Sequence, residues 1–523
     1  MKQIGLKAVF AFLICVSAAW SQDNISMSYF QGGAYQIRFH VASSLFSGVG
    51  LRSEGLAGVV STLNQDPASI VRHPAALTRL KQALVTLDLT PPIQIDPAAY
   101  MDMDASIQSG VNNAIADYNV PAENIAYPVL DIRFGQAGIG GSGGAVIPTR
   151  YGFVGLAVYR PFTLSLDLIG NGFATMIETS KEIGDKVTVV QFAAQMNPTV
   201  RFRLNTTAAA LSYGWSLGQK FAIGATLDWL TAKVDLNAFF KLDGIMLLRQ
   251  EGAVAGQEYA FNDPYDESIR WEDGEQNTLD QWAIGSYQGS GWGATLSALY
   301  QPGQTLSFDF SVSLMPTLSM KGNMSFVQNM IPAVAAENFF SDDPNASLFD
   351  VTQLNLAKPT LTRRFENPTD TVLVLEFPTS ITLGVSKKLG RRSLVALNYN
   401  IYSGKLGYRY LKYQQGLKFK QGVRFGLMLP MAWFLGPETI LLKLLGQEPD
   451  PTFRFGFGAI FADEVKAGFP YLENTNKIYV KTGMIIPSFS MAKSFTIVQN
   501  VETDVLFVAL PASFFKMSFL YRF

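Results

Sequence analysis

Residues 306–314 read LSFDFSVSL, in which Leu306, Phe308, Phe310, Val312 and Leu314 alternate with Ser307, Asp309, Ser311 and Ser313. Side chains alternate across a β-strand, so this stretch is predicted to form a strand that is apolar on one face and wet on the other. The pattern recurs along the chain. Phe221, Ile223, Leu227 and Trp229 oppose Ala222, Gly224, Thr226 and Asp228; Val395, Leu397, Tyr399 and Ile401 oppose Asn398 and Asn400. Val423, Phe425, Leu427 and Leu429 oppose Arg424 and Gly426; Phe453, Phe455, Phe457 and Phe461 oppose Arg454, Gly456 and Gly458. A soluble β-sandwich also alternates, but it turns its polar face to water and carries a well charged surface. Here hydrophobic residues make up 48% of the chain and charged residues only 16%, against about 25% charged in soluble globular proteins. The reading is therefore inverted, with the apolar faces toward lipid and the polar faces toward a lumen.

No later segment offers an uninterrupted apolar helix of about 20 residues, so spanning must be done by strands. In hydrocarbon every backbone donor and acceptor needs an internal partner, and an open sheet edge leaves a row unpaired, so spanning strands must close into a barrel. The strict alternation points to an up-and-down path. Three short turns, Gly218-Gln219-Lys220, Pro302-Gly303-Gln304 and residues 389–392, separate alternating segments and are assigned to the periplasmic end. The longer stretches at 234–289, 322–376 and 403–417 are assigned to external loops.

The two ends of the chain agree with export. Lys2 and Lys7 precede an apolar run from Ala8 to Val16 and then Ala19-Trp20-Ser21, the three parts of a secretory signal with cleavage expected after Ser21. Cys15, the single cysteine, lies inside that leader, so the mature chain is expected to have no disulfide and no thiolate chemistry. At the other end Phe515, Met517, Phe519, Tyr521 and Phe523 share one face, and this strand resembles the C-terminal strand of bacterial outer-membrane barrels that the barrel-assembly machinery reads. A net charge of −1, with no clustered basic stripe, argues against nucleic acid as a partner.

Residues 291–326, GWGATLSALYQPGQTLSFDFSVSLMPTLSMKGNMSF, resemble the paired strands of the FadL family of outer-membrane transporters for long-chain fatty acids and other hydrophobic compounds. Residues 207–230 and 377–402 resemble an earlier and a later hairpin of that family. Residues 55–77, GLAGVVSTLNQDPASIVRHPAAL, are similar to the stretch carrying Asn-Pro-Ala in the family's N-terminal plug; here the triplet is His73-Pro74-Ala75. The resemblance implies an all-β fold: a transmembrane antiparallel barrel of about 14 strands. It also implies a signal peptide at 1–21, a plug at 22–80, a barrel at 81–523, and a hydrophobic route toward a lateral opening in the wall. It further implies a monomer in the bacterial outer membrane, bathed in its lipid, that takes up hydrophobic small molecules or fatty acids passively. The stretch around Asp66-Pro67 and His73-Pro74-Ala75 also resembles barrels that escort secreted proteins to the cell surface, which is the alternative function.

Chemistry beyond binding finds little support. His40 and His73 are the two histidines, too few for a histidine and cysteine metal cluster, and neither lies near a nucleophile motif, so no enzyme activity, metal or cofactor is expected. The Gly-rich run at 138–144 lacks the Lys-Ser/Thr of a phosphate loop. For ligand capture the expected surface is Phe239, Phe240, Ile245, Met246, Leu247 and Leu248, an apolar patch placed in an external loop. Arg424 and Arg454, on the lumen side, are the candidate partners for a carboxylate, with Lys481 and Lys516 beside them.

Overall fold

In the computed structural model the described residues are 25–41, 49–59, 63, 66–91, 94–95, 103–116, 120–135, 140–183, 186–250, 257–261, 281–328, 362–366, 372–390, 393–410, 413–430, 452–468, 477–498, 500–510 and 514–523. The expected leader and its Cys15 lie outside them, as do residues 262–280 and 329–361 of the expected external loops. The first strands in chain order are β1 (Ile25–Gln31), β2 (Ala34–Val41), β3 (Leu84–Thr90), β4 (Gln94–Ile95), β5 (Ile125–Ala126), β6 (Val129–Gly135), β7 (Gly140–Thr149), β8 (Gly152–Tyr159) and β9 (Thr163–Asn171). The middle of the chain gives β10 (Phe173–Ile183), β11 (Lys186–Ser216), β12 (Phe221–Gln250), β13 (Gln257–Phe261), β14 (Gln281–Tyr300), β15 (Leu306–Leu314), β16 (Leu318–Gln328), β17 (Thr362–Glu366) and β18 (Val372–Glu376). The rest are β19 (Thr379–Lys388), β20 (Leu394–Ser403), β21 (Leu406–Tyr410), β22 (Tyr413–Pro430), β23 (Thr452–Ala467), β24 (Ile478–Val498), β25 (Val501–Leu510) and β26 (Phe514–Arg522).

Fourteen of these close a ring, each antiparallel to both neighbours: β3, β7, β8, β11, β12, β14, β15, β19, β20, β22, β23, β24, β25 and β26, which returns to β3. The terminal strand closes the ring as expected, and the Phe523 amide donates to Ala83 O at 3.1 Å. Closure leaves no bare edge in the membrane. The short turns are where the sequence puts them: Leu217 donates to Phe221 O at 2.9 Å, and Leu389 donates to Ser393 O at 3.0 Å.

The outer surface of the ring is apolar around its circumference, with Leu87, Leu156, Leu211, Leu227, Leu296, Phe310, Leu383, Leu397, Val423 and Phe457 exposed on successive staves. So continuous an apolar girdle is far larger than a water-exposed protein tolerates, and it makes this a membrane-spanning barrel. Aromatic rings mark its rims. Near the short turns Phe221 lies 5.0 Å from Tyr300, and on the other side Trp229 lies 4.7 Å from Trp292. From Phe221 to Trp229 a strand rises roughly 27 Å along its axis, about 20 Å along the membrane normal at a tilt of about 40°.

Beyond that upper rim the strands continue, which corrects three expectations. The stretch at 234–289 is not one loop: β12 runs on to Gln250, paired with β11 and β13, and β14 begins at Gln281. Likewise β16 reaches Gln328, β17 (Thr362–Glu366) and β18 (Val372–Glu376) pair with it, and β21 pairs residue for residue with 413–417 of β22. Long ladders persist past the bilayer because each added residue continues an existing two-sided hydrogen-bond pattern.

The N-terminal segment departs further from expectation. A plug from residue 22 was expected, yet β2 is a stave of the upper wall, antiparallel to β9 on one side and parallel to β6 on the other. Below it, β7 and β8 pair directly. The upper wall thus gains a strand where the second and third ring strands part. Gly33 permits the bend between β1 and β2: its φ is +71°, and a Cβ there would sit 2.6 Å from Asn171 O. The alternation of Tyr35, Ile37 and Phe39 with Gln36 and Arg38 was a legible strand signal.

From Val49 the chain lies inside the ring. Short helical turns at Glu54–Leu56, Ser69–Arg72 and Pro74–Arg79 carry almost wholly buried residues and bond to inward side chains on opposite walls. The Ala75 amide donates to Ser297 Oγ at 2.8 Å and Thr226 Oγ1 donates to Ile70 O at 2.6 Å, while across the lumen Ser490 Oγ donates to Glu54 O at 2.6 Å. Inward glycines make room for this segment. A Cβ on Gly224 would lie 2.3 Å from the Ala75 amide nitrogen, and one on Gly456 2.0 Å from that of Ala57.

Candidate functional site

The inward row of β12 reads Thr226, Asp228, Leu230, Ala232, Val234, and the outward row reads Leu227, Trp229, Thr231, Lys233. The strand does not slip; its residues exchange polarity between faces at Trp229, where the outer surface leaves lipid for water. Across the ring the same exchange holds. β15 sends Ser307, Asp309 and Ser311 inward, whereas β16 sends in Leu318, Met320 and Met324 and turns Ser319, Lys321 and Asn323 outward. Leu373 and Leu375 of β18 join them. Tyr287 and Tyr410 meet across the interior edge to face at 5.9 Å. The upper lumen is therefore an apolar packing continuous with Ile70, Val71 and Leu77 of the inner segment.

Four strand breaks lie near the junction of the apolar and polar halves: Arg160-Pro161-Phe162, Met315-Pro316-Thr317, Phe377-Pro378 and Gly404-Lys405. Proline lacks an amide proton for the ladder, which accounts for three of them, and Gly404 takes a φ of +93° at the fourth. At the first break Thr206 stands in for the missing ladder, accepting from the Phe162 amide at 2.8 Å and bonding to its carbonyl.

Within these breaks lies a cavity of about 140 Å³. Its upper lining is Pro161, Phe162, Met315, Phe377 and Leu406; its lower lining includes Arg72, His73, Asp309, Asn398, Asn400 and Arg424. Arg424 donates to Tyr402 Oη at 2.7 Å, and Tyr402 is braced edge-on by Phe419 at 5.6 Å. Arg72 Nη1 donates to Gly58 O at 3.2 Å. Burial holds the Arg72 guanidinium down at about 10, still charged at neutral pH, and holds His73 down at about 4, so its imidazole is neutral. The ring of His73 faces the backbone of Ala298 and Phe310.

The structure separates the residues that the sequence grouped. Arg424 lines the cavity, but Arg454 does not: it is paired with Asp504 at 3.1 Å, which Arg52 of the inner segment also approaches at 3.6 Å. Lys516 is held by Glu54 at 2.9 Å, and Lys481 is exposed. These ions anchor the inner segment to the wall. Phe239 and Phe240 sit on a strand, not a loop. Phe239 lies in the outward row and is 36% exposed, while Phe240 shares the inward parity of Ala238. Ile245, Met246, Leu247 and Leu248 continue that strand, paired with β11 and β13. His73, Pro74 and Ala75 are buried in the lumen; His73 borders the cavity and Ala75 bonds the wall. Arg72 was not singled out from sequence, where nothing marks it off from any solvated arginine.

Among solved structures the chain is similar to the Ralstonia pickettii toluene transporter TbuX, at 11% identity and a TM-score of 0.44, covering 91% of this chain and 99% of that one. It is similar also to the P. putida toluene transporter TodX, at 12% identity and a TM-score of 0.43 over 91% and 99% of the two chains. A Pseudomonas aeruginosa FadL homologue is similar at 10% identity and a TM-score of 0.43, over 92% and 100%. No family model and no curated protein matches the chain.

Proposed function

We propose that the protein is a FadL-like barrel of the bacterial outer membrane that lets hydrophobic small molecules pass down their gradient. The observation that carries this reading is the polarity exchange at Trp229 and Trp292. Outside the membrane the wall is polar on its outer face and apolar on its inner face, an arrangement that a water-filled porin would reverse. An apolar constriction admits apolar solutes and resists wetting, so water and ions are held back while a hydrophobic molecule is not. The inner segment from Val49 to Leu80 acts as a plug, pinned by Arg52, Glu54 and the inward hydroxyls. Arg424 and Arg72 at the base of the cavity suit a carboxylate, which makes long-chain fatty acids one substrate class within this reading.

The test is uptake in cells that lack other hydrophobic-compound channels, with and without the protein. A labelled fatty acid and a labelled monoaromatic hydrocarbon should accumulate faster with it, and a labelled hydrophilic sugar should not. Enhanced sugar entry without enhanced entry of either apolar probe would refute the conduit.

A further inference from the structure

Asp309 is an unmet carboxyl group in the wall of the cavity. It is 5% exposed, both carboxylate oxygens are buried, and among the described residues neither has a hydrogen-bond partner. Its place is built rather than incidental: the facing residue on β19 is Gly384, where a Cβ would come within 2.1 Å of Asp309 Oδ1. The two arginines of the cavity are held by other acceptors, Arg424 by Tyr402 and Arg72 by Gly58. One nitrogen of Arg72, Nη2, is itself buried without an acceptor. A lumen serving plain hydrocarbons would gain nothing from a buried carboxyl group left without a donor.

We infer that Asp309 is a specificity-determining acceptor, and that the cavity takes a ring-sized apolar molecule bearing one neutral hydroxyl or amine donor. This rests on the conduit reading and deepens it. The volume of about 140 Å³ is that of a space holding one benzene-sized ring. Phe162, Met315 and Phe377 give the ring its apolar walls. A hydroxyl or amine held in the cavity supplies the donor that Asp309 lacks. A metal ion is disfavoured because no cluster of three ligating side chains occurs among the described residues. The two arginines of the lining, Arg72 and Arg424, disfavour an organic cation, and the Asp309 carboxyl disfavours an anion near its own oxygens.

The experiment compares p-cresol with toluene, which differ by one hydroxyl, by equilibrium dialysis against the full-length protein in nanodiscs, with empty discs subtracted. The wild-type protein should bind p-cresol about ten- to a hundred-fold more tightly, the range given by satisfying a buried acceptor that is otherwise unpaired. Asp309→Leu should abolish the preference and Asp309→Asn should keep part of it. Equal binding of the two probes by the wild-type protein, or binding of neither, overturns the inference, whether or not the variants fold. If both probes bind equally while apolar solutes still cross in the uptake assay, the conduit stands and only the role of Asp309 falls.

Discussion

Trp229 of β12 and Trp292 of β14 are direct partners in the ladder, with ring centroids 4.7 Å apart, and at this rung the apolar side of the wall passes from its outer to its inner face. Below it Leu227 and Leu296 face outward over inward Thr226 and Thr295; above it Thr231 and Lys233 face outward over inward Ala232 and Val234. The rung is where the apolar outer band of the barrel ends.

Leu227→Arg places a charge on the lipid face, where it costs roughly 2 to 4 kcal/mol near mid-bilayer and less toward the rim. Asn237→Arg, on the same outward row above the rim, should cost nothing measurable. The yield of heat-modifiable folded barrel checks the pair: a loss for Leu227→Arg alone fits the boundary, and equal yields would move it.

Gly224→Val sets a side chain against the Ala75 amide, and Gly456→Val sets one against that of Ala57. Overpacking of this kind costs about 1 to 3 kcal/mol, and the inner segment, attached by side-chain contacts rather than by ladder pairing, should yield before the ring does. Single-channel recordings in planar bilayers should show higher conductance with folded yield retained. Unaltered conductance in both variants would place the inner segment away from the conducting path.

His73 is 1% exposed and held neutral, its value lowered by burial from 6.5 to about 4. The undocked segment therefore binds more protons than the docked one between these values, so docking is strongest above pH 6.5 and weakens as pH falls toward 4. At pH 5 the loss is about 2 kcal/mol. Trypsin should cut within 49–80 faster at pH 5 than at pH 7.5, after correction for trypsin's own pH dependence, and His73→Gln should remove that difference. A wild-type protein equally resistant at both pH values would count against a buried neutral imidazole.

The bend at Gly33 sits against Asn171 and Phe173 with a positive φ. Gly33→Val should release β1 and β2 from β9 and β10, exposing residues 25–41 to protease while the ring persists. A disulfide between Ile37→Cys and Leu168→Cys, ladder partners, should fix the stave in place. Failure of that pair to cross-link under oxidation would contradict the pairing of β2 with β9.

Much of the ring was readable because a lipid-facing strand must be apolar at every second residue, so Leu306 to Leu314 announces both its structure and its orientation. The turns were readable because three residues leave no room for another path. The lumen was less so. Arg424 and Arg454 both point inward from neighbouring strands, four rungs apart, and Arg52 and Asp504 beside Arg454 make it an anchor rather than part of the cavity. Phe240 reads from sequence as part of an external patch because apolar residues above the membrane invite that reading. A strand that keeps its parity turns it inward instead. Asp309 is legible in the sequence only as one member of a polar face; its isolation depends on Gly384, seventy-five positions away in sequence and adjacent in the sheet.

The central claim, that hydrophobic solutes pass through the apolar upper lumen, is tested most directly at Leu318 and Leu375, ladder partners that are 0% and 6% exposed and point inward. Changing both to Asn sets polar amides across the constriction without altering the outer face, at a desolvation cost of about 1 to 3 kcal/mol for an apolar solute to displace their water. The measurement is the initial rate of uptake of a labelled monoaromatic hydrocarbon in cells matched for surface-expressed folded barrel. The account predicts a fall of about tenfold with sugar entry unchanged or raised; an unchanged hydrocarbon rate at equal expression would contradict it.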